Sequence, residues 1–152
     1  MLQVFQHPAG SERSMGSIRF GVSMDTKLME AFDRHIKKKD YGNRSEAIRD
    51  LVRDTLVQEE WASGDVETVG TVSLVFDHHH GDITETLNSI EHENLDTIVS
   101  TLHVHLDHHN CLEVLVLRGK VASIRRIADK LISSKGVKHG KLTVATTGQS
   151  IV

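Results

Sequence analysis

At 152 residues the chain has room for one ordinary domain or two small ones. Its formal net charge of −3 gives no global positive field for nucleic acid, although a local patch would suffice. A single cysteine rules out an internal disulfide, and no apolar run approaches the length of a membrane span, so a soluble protein of the reducing cytoplasm is expected. Met1 to Gly16 has neither a hydrophobic period nor the apolar core of a signal peptide, and is expected to be a flexible arm.

Ile18 to Met24 alternates. Ile18, Phe20, Val22 and Met24 lie on one side, and Arg19, Gly21 and Ser23 on the other, which is the pattern of a short amphipathic strand. Asp25 and Thr26 can cap a helix in which Leu28, Met29, Phe32 and Ile36 recur at helical spacing, until Asp40-Tyr41-Gly42 breaks it. Asn43-Arg44-Ser45-Glu46 has the form of a capping box and opens a second helix running toward Trp61. One strand and two helices in so few residues bury little core, and the strand has no partner nearby in its own chain. Pairing with a second copy makes an antiparallel ribbon over four helices, the ribbon-helix-helix arrangement that places strands in the DNA major groove. Arg19, Gly21 and Ser23 would then face the bases: Arg can bond bidentately to guanine, Ser can donate or accept, and Gly permits close approach. Asn43 and Arg44 join them as candidate DNA contacts. The division expected is an arm over 1–16, a DNA-binding domain over 17–61, a polar linker over 62–68, a second domain over 69–148 and a tail over 149–152.

From Val69 the order of elements is βαββαβ, the split βαβ or ferredoxin-like unit, so the whole chain is α+β. A strand over 69–77 leads into His78-His79-His80-Gly81 and a helix over about 82–91 that ends near His92. A long strand over 95–106, with Ile98, Ser100, Leu102, Val104 and Leu106 on one face, is followed by a strand from Leu112. Val121, Ile124, Ile127, Ala128 and Leu131 mark a helix, and a last strand occupies 137–147.

The chemistry concentrates in the second of these strands and the turn after it. The chain holds 11 histidines, and those between His78 and His109 are too dense for chance placement in a core. His103 and His105 sit two apart, so on a strand their imidazoles share a face, roughly 7 Å apart. With a three-residue loop at Asp107, His108 and His109, His105 faces Cys111 and the sulfur joins that face. A two-residue loop would send it to the other side. A thiolate with imidazoles suits zinc, copper or nickel, and spacing alone does not choose among them. His92, at the end of a helix, is an attractive fourth donor, from the same chain or from a second copy. Glu113, two past Cys111, could orient an imidazole. His78, His79, His80, His108 and His109 read as a solvated, weakly metal-binding surface. No G-x-S-x-G, P-loop or H-E-x-x-H motif is present, so no catalytic residue and no small-molecule substrate are expected.

R-F-G-V-S at Arg19–Ser23, N-R-S-E-A-I-R-D at Asn43–Asp50, L-H-V-H at Leu102–His105, Cys111 six residues beyond His105, and G-V-K-H-G at Gly136–Gly140 together resemble the nickel-responsive transcriptional regulators. The resemblance covers roughly Ser17 to Thr147. It implies an ACT-like second domain and a tetramer of two DNA-binding dimers around a four-domain core. It implies one square-planar Ni(II) per subunit, held by His103, His105 and Cys111 of one chain and His92 of a neighbour. It also implies base contacts by Arg19, Gly21 and Ser23, where some relatives carry Thr or Ser in place of Gly21, and an interdomain cation site at Glu46 and Asp50, which lie one helical turn apart. The expected function is repression of nickel-uptake genes through an operator with palindromic half-sites. The rival expectation is a metal storage or delivery protein whose ribbon only dimerises.

Overall fold

A computed structural model describes residue 16, residues 18–149 and residue 151. The expected N-terminal arm falls almost wholly outside the described residues. The chain forms two compact units, one up to Tyr41 and one from Gly42 onward.

The first unit holds helix α1 (Thr26–Lys38). The Asp25 side chain caps it by accepting the Leu28 amide at 2.8 Å, so an otherwise orphaned donor of the first turn is satisfied. Asp40 ends the run with a left-handed φ of 57°, a conformation that Asp tolerates better than most residues. Before the helix, Ile18 to Asp25 pairs with no strand among the described residues, since a ladder needs a second strand beside it. Ile18, Phe20 and Val22 are accordingly exposed at 87%, 73% and 54%, and no residue of α1 is buried.

The second unit begins with α2 (Arg44–Ser63), whose N-cap Asn43 accepts the Glu46 amide at 2.9 Å, and whose C-terminus turns at Gly64 with φ 78°. Then come β1 (Glu67–Asp77), α3 (Ile83–His92), β2 (Ile98–His105), β3 (Asn110–Lys120), α4 (Val121–Ile132) and β4 (Val137–Val144). The strands form one sheet in the order β2-β3-β1-β4 with every neighbouring pair antiparallel. β3 lies between β1 and β2, which is the split βαβ arrangement expected from the element order.

Strand alternation sets the core. Val72, Leu74 and Phe76 of β1 and Leu115 and Leu117 of β3 are buried on one face with Ile83, Leu87 and Ile90 of α3 and Val121, Ile124, Ile127, Ala128 and Leu131 of α4. The other face is half-buried and lacks a covering layer among the described residues. β2 lies at the edge and is exposed along nearly all its length.

Two expectations for β2 are corrected. It starts at Ile98, not Leu95, because the Asn94 carbonyl accepts the amides of Thr97 (2.9 Å) and Ile98 (2.9 Å) and folds 95–97 into a turn. A register shift between Ile98 and Ser100 also moves Ile98 off the face of Ser100, Leu102 and Val104: it pairs with Leu117 and packs against the core.

Gly140 on β4 sits against α4. A Cβ there would lie 2.7 Å from Ile132 Cγ1 and 3.1 Å from Ile132 Cβ, too close to the helix for a side-chain rotation to relieve it. Gly140→Ala should therefore destabilise the domain by about 1–3 kcal/mol, read as a lower urea midpoint at unchanged slope.

Candidate metal centre

The β2–β3 hairpin carries the site, and its register decides which side chains meet. His105 pairs with Cys111 and His103 with Glu113, so all four project to the core-side face. The turn has the three-residue form: the Leu106 amide donates to the Asn110 carbonyl at 2.8 Å. Asp107 holds it together. Its Oδ1 accepts the backbone amides of His109 and Asn110, both at 2.8 Å, and Asn110 Nδ2 donates to Oδ2 at 2.8 Å. The Asn110 side chain first, then these amides, lower the Asp107 pKa to about 2.

Since folding favours the ionised carboxylate, its contribution is complete above the ordinary carboxylate range and is lost as the pH falls through about 2. The His109 and Asn110 amides should thus lose hydrogen-exchange protection in acid, and Asp107→Ala should reproduce that loss at neutral pH.

Cys111 is fully buried. Its Sγ lies 3.3 Å from His105 Nδ1 and 3.4 Å from His78 Nδ1. Among the described residues these three make the cluster suited to one ion, with ligand atoms all within 4.8 Å of one another. Burial, and then the carboxylates of Glu113, Asp107 and Asp77, push the thiol pKa up. His103 Nδ1 donates to Glu113 Oε2 at 3.1 Å, its ring 5.0 Å from that of His105 and edge-on to Phe76 at 5.8 Å. The other oxygen of Glu113 is buried without a hydrogen-bond partner. Burial raises the Glu113 pKa, the His103 bond opposes that rise, and the nearby Glu91 carboxylate adds to it. A soft sulfur, two or three imidazoles and a carboxylate behind one of them form a donor set that fits nickel, copper or zinc.

The remaining predicted residues are placed as follows. His92 is exposed on the last turn of α3. His79, His80, His108 and His109 are exposed near the hairpin tip, with His79 Nε2 3.1 Å from the His108 carbonyl. In the first unit, Arg19, Gly21 and Ser23 are exposed. In the second, Asn43 and Arg44 open α2, the Asn43 side chain engaged as its cap, while Glu46 is exposed and Asp50 accepts from Arg53 Nη1 at 3.4 Å.

The sequence reading placed His78 only in a solvated, weakly metal-binding surface, and Glu91 it did not single out. His78 continues the inward series Val72, Leu74, Phe76 by one step, and its amide donates to the His109 carbonyl at 3.2 Å, so it turns to Cys111. Carrying the alternation through the triple histidine would have found it. Glu91 accepts from Thr101 Oγ1 at 2.7 Å, a contact between α3 and β2 that no local pattern announces.

Residues 69–145 match the family model described as the NikR C terminal nickel binding domain, and residues 18–59 match the ribbon-helix-helix proteins of the copG family. Proteins named as nickel-responsive regulators align over nearly the full chain. That of Geobacter sulfurreducens is 58% identical over 89% of this chain and 97% of its own. That of Caldanaerobacter subterraneus subsp. tengcongensis is 54% identical over 90% and 88%, and that of Pyrococcus furiosus 54% identical over 91% and 100%. With residues 18–59 and 69–145 both matched, and relatives of one kind aligned over about nine-tenths of the chain, the chain belongs to the family of nickel-responsive transcriptional regulators and not to an enzyme family.

Proposed function

We propose that the chain is a nickel-dependent repressor of nickel-uptake genes, working as a homotetramer in the cytoplasm with one Ni(II) per subunit. His103, His105 and Cys111 of one subunit and His92 of a neighbour would hold the ion, with Glu113 orienting His103. The observation that carries this reading is the hairpin register: His105 opposite Cys111 and His103 opposite Glu113, on one face, at the exposed edge of the sheet. An exposed His92 on the neighbouring helix end supports a donor shared between chains. Nickel, when bound, supplies a fixed link between donors of two chains. The chain's own contribution is a preformed half-site: Asp107 holds the turn, Glu113 holds His103, and burial keeps Cys111 from water.

The DNA-binding domain would span 17–61, with 62–68 as the join to a metal domain over 69–148. Arg19, Gly21 and Ser23 would read a palindromic operator, and Asn43 and Arg44 would contact it too. The exposed Ile18, Phe20 and Val22 support a second copy covering that side of the ribbon. Glu46 and Asp50 remain the proposed interdomain cation site.

Linkage supplies the test. If nickel tightens operator binding, operator must tighten nickel by the same factor, about 5- to 150-fold for typical couplings. Mobility shifts with a duplex selected from a random-sequence pool, alongside nickel titrations with and without that duplex, should give matching factors. Equal nickel affinity in both titrations, with no nickel-dependent retardation, would favour storage or delivery.

A further inference from the structure

We propose that Arg126 and Lys130 of α4 are positioning residues for His92. They hold the last turn of α3 from one side while Thr101 of β2 holds it from the other, so that His92 is presented to a second chain on a backbone already fixed. The inference rests on the reading above in one respect, that His92 completes a neighbour's nickel site.

The need for a polar clamp follows from where the apolar contacts stop. α3 has 10 residues, too few to be held by its own hydrogen bonds, and it is anchored through buried Ile83, Leu87 and Ile90. His92 lies beyond the last of these anchors and is exposed. Its two sequence neighbours are tied to different elements. Glu91 accepts from Thr101 Oγ1 at 2.7 Å, and Glu93 accepts from Lys130 Nζ at 2.7 Å. Consecutive helical residues point about 100° apart, and Glu93 keeps helical backbone angles, so the two ties lie on opposite flanks with His92 between them. Rolling the helix either way would stretch one of them. Asn94 adds a third tie. Its Nδ2 donates to the Ile90 carbonyl at 2.7 Å, which leaves Oδ1 to accept from Arg126 Nη2 at 3.4 Å. Its own carbonyl accepts the Thr97 and Ile98 amides and so joins the end of α3 to the start of β2. Both cations of α4 thus stand at the C-terminal end of α3, where the helix dipole favours positive charge.

The test is a set of nickel titrations of the full-length protein against a competing chelator, in a cycle of wild type, His92→Ala, Arg126→Ala with Lys130→Ala, and all three together. Lys130 and Glu93 are 49% and 58% exposed at their side chains, and exposed ties of this kind are worth about 1.5- to 5-fold each. Removing both α4 ties should therefore weaken nickel by about three- to tenfold while His92 is present, and by less than about twofold in the His92→Ala background. A general loss of structure would carry through both backgrounds alike. Reversing the ion pair, Glu93→Lys with Lys130→Glu, should recover most of what Lys130→Glu alone loses, and the nickel–thiolate band should persist throughout as the sign of a folded hairpin. If His92→Ala weakens nickel but removal of the α4 ties does not, or weakens it equally in both backgrounds, the inference is overturned and the proposed function stands. Nickel affinity untouched by His92→Ala would overturn the shared-donor reading itself, and the positioning role with it.

Discussion

Replacing Cys111 with alanine is expected to lower nickel affinity by about a hundredfold or more and to abolish the thiolate-to-nickel charge-transfer band, with little change in fold. The size follows from position. Loss of an outer-shell partner alone costs about 10- to 100-fold, and Cys111 is the sulfur on which His105 and His78 both converge. The fold should survive because alanine fills most of the same buried space between the strands. A second signature follows from the protonation state. Burial, reinforced by Glu113, Asp107 and Asp77, holds the thiol pKa above its ordinary value, so at neutral pH the proton must leave for the thiolate to bind metal. Wild-type nickel affinity should then rise about tenfold per pH unit through the neutral range and release a proton measurable in weakly buffered solution, whereas Cys111→Ala should lose that increment. A band that persists in the variant would remove Cys111 from the proposed coordination set.

The hairpin was legible in advance because two local rules converge on it. Period-two alternation places His103 and His105 together, and Asp107 to Asn110 reads as a turn whose length settles the side on which Cys111 falls. The Asp25 and Asn43 caps were legible for the same reason, being interactions three residues long. What escaped depends on distant backbone. The register shift near Val99 arises where the turn at Asn94 hands the chain into β2 beside β3, and the Arg118 amide donates to the Thr97 carbonyl at 2.8 Å. Such a shift changes which face Ile98 takes without leaving a mark in the residue pattern. His78 was hidden differently. Three consecutive histidines look like a solvated run, and only the continuation of the β1–β3 pairing past Asp77 picks out the first of them.

Trp61 should be among the most sensitive positions for stability: Trp61→Ala is expected to cost about 3–5 kcal/mol. The residue lies near the end of α2 yet belongs to the core of the sheet domain, 2% exposed. Its indole lies over Gly70 of β1, where a Cβ would come within 3.0 Å of the ring, so the strand and the ring are fitted to each other. Nε1 donates to the Ala145 carbonyl at 2.8 Å, and the Arg125 guanidinium sits 5.5 Å from the ring centre. Trp61→Phe separates these contributions. It keeps much of the apolar contact and removes the donor, but the Ala145 carbonyl still accepts from Thr68 Oγ1 at 2.9 Å and is not left unsatisfied. The loss should then be only about 1 kcal/mol from the hydrogen bond, plus the part of the indole that phenyl does not fill. Neither change should alter nickel affinity in the folded protein, since Gly70 and Phe76, which pairs with Cys111, are separated by roughly 20 Å of strand. Denaturant midpoints for the three proteins, with nickel titrations at low denaturant, decide the matter: a nickel defect in Trp61→Phe would show that this anchor and the metal hairpin are coupled through β1, and would refute their independence.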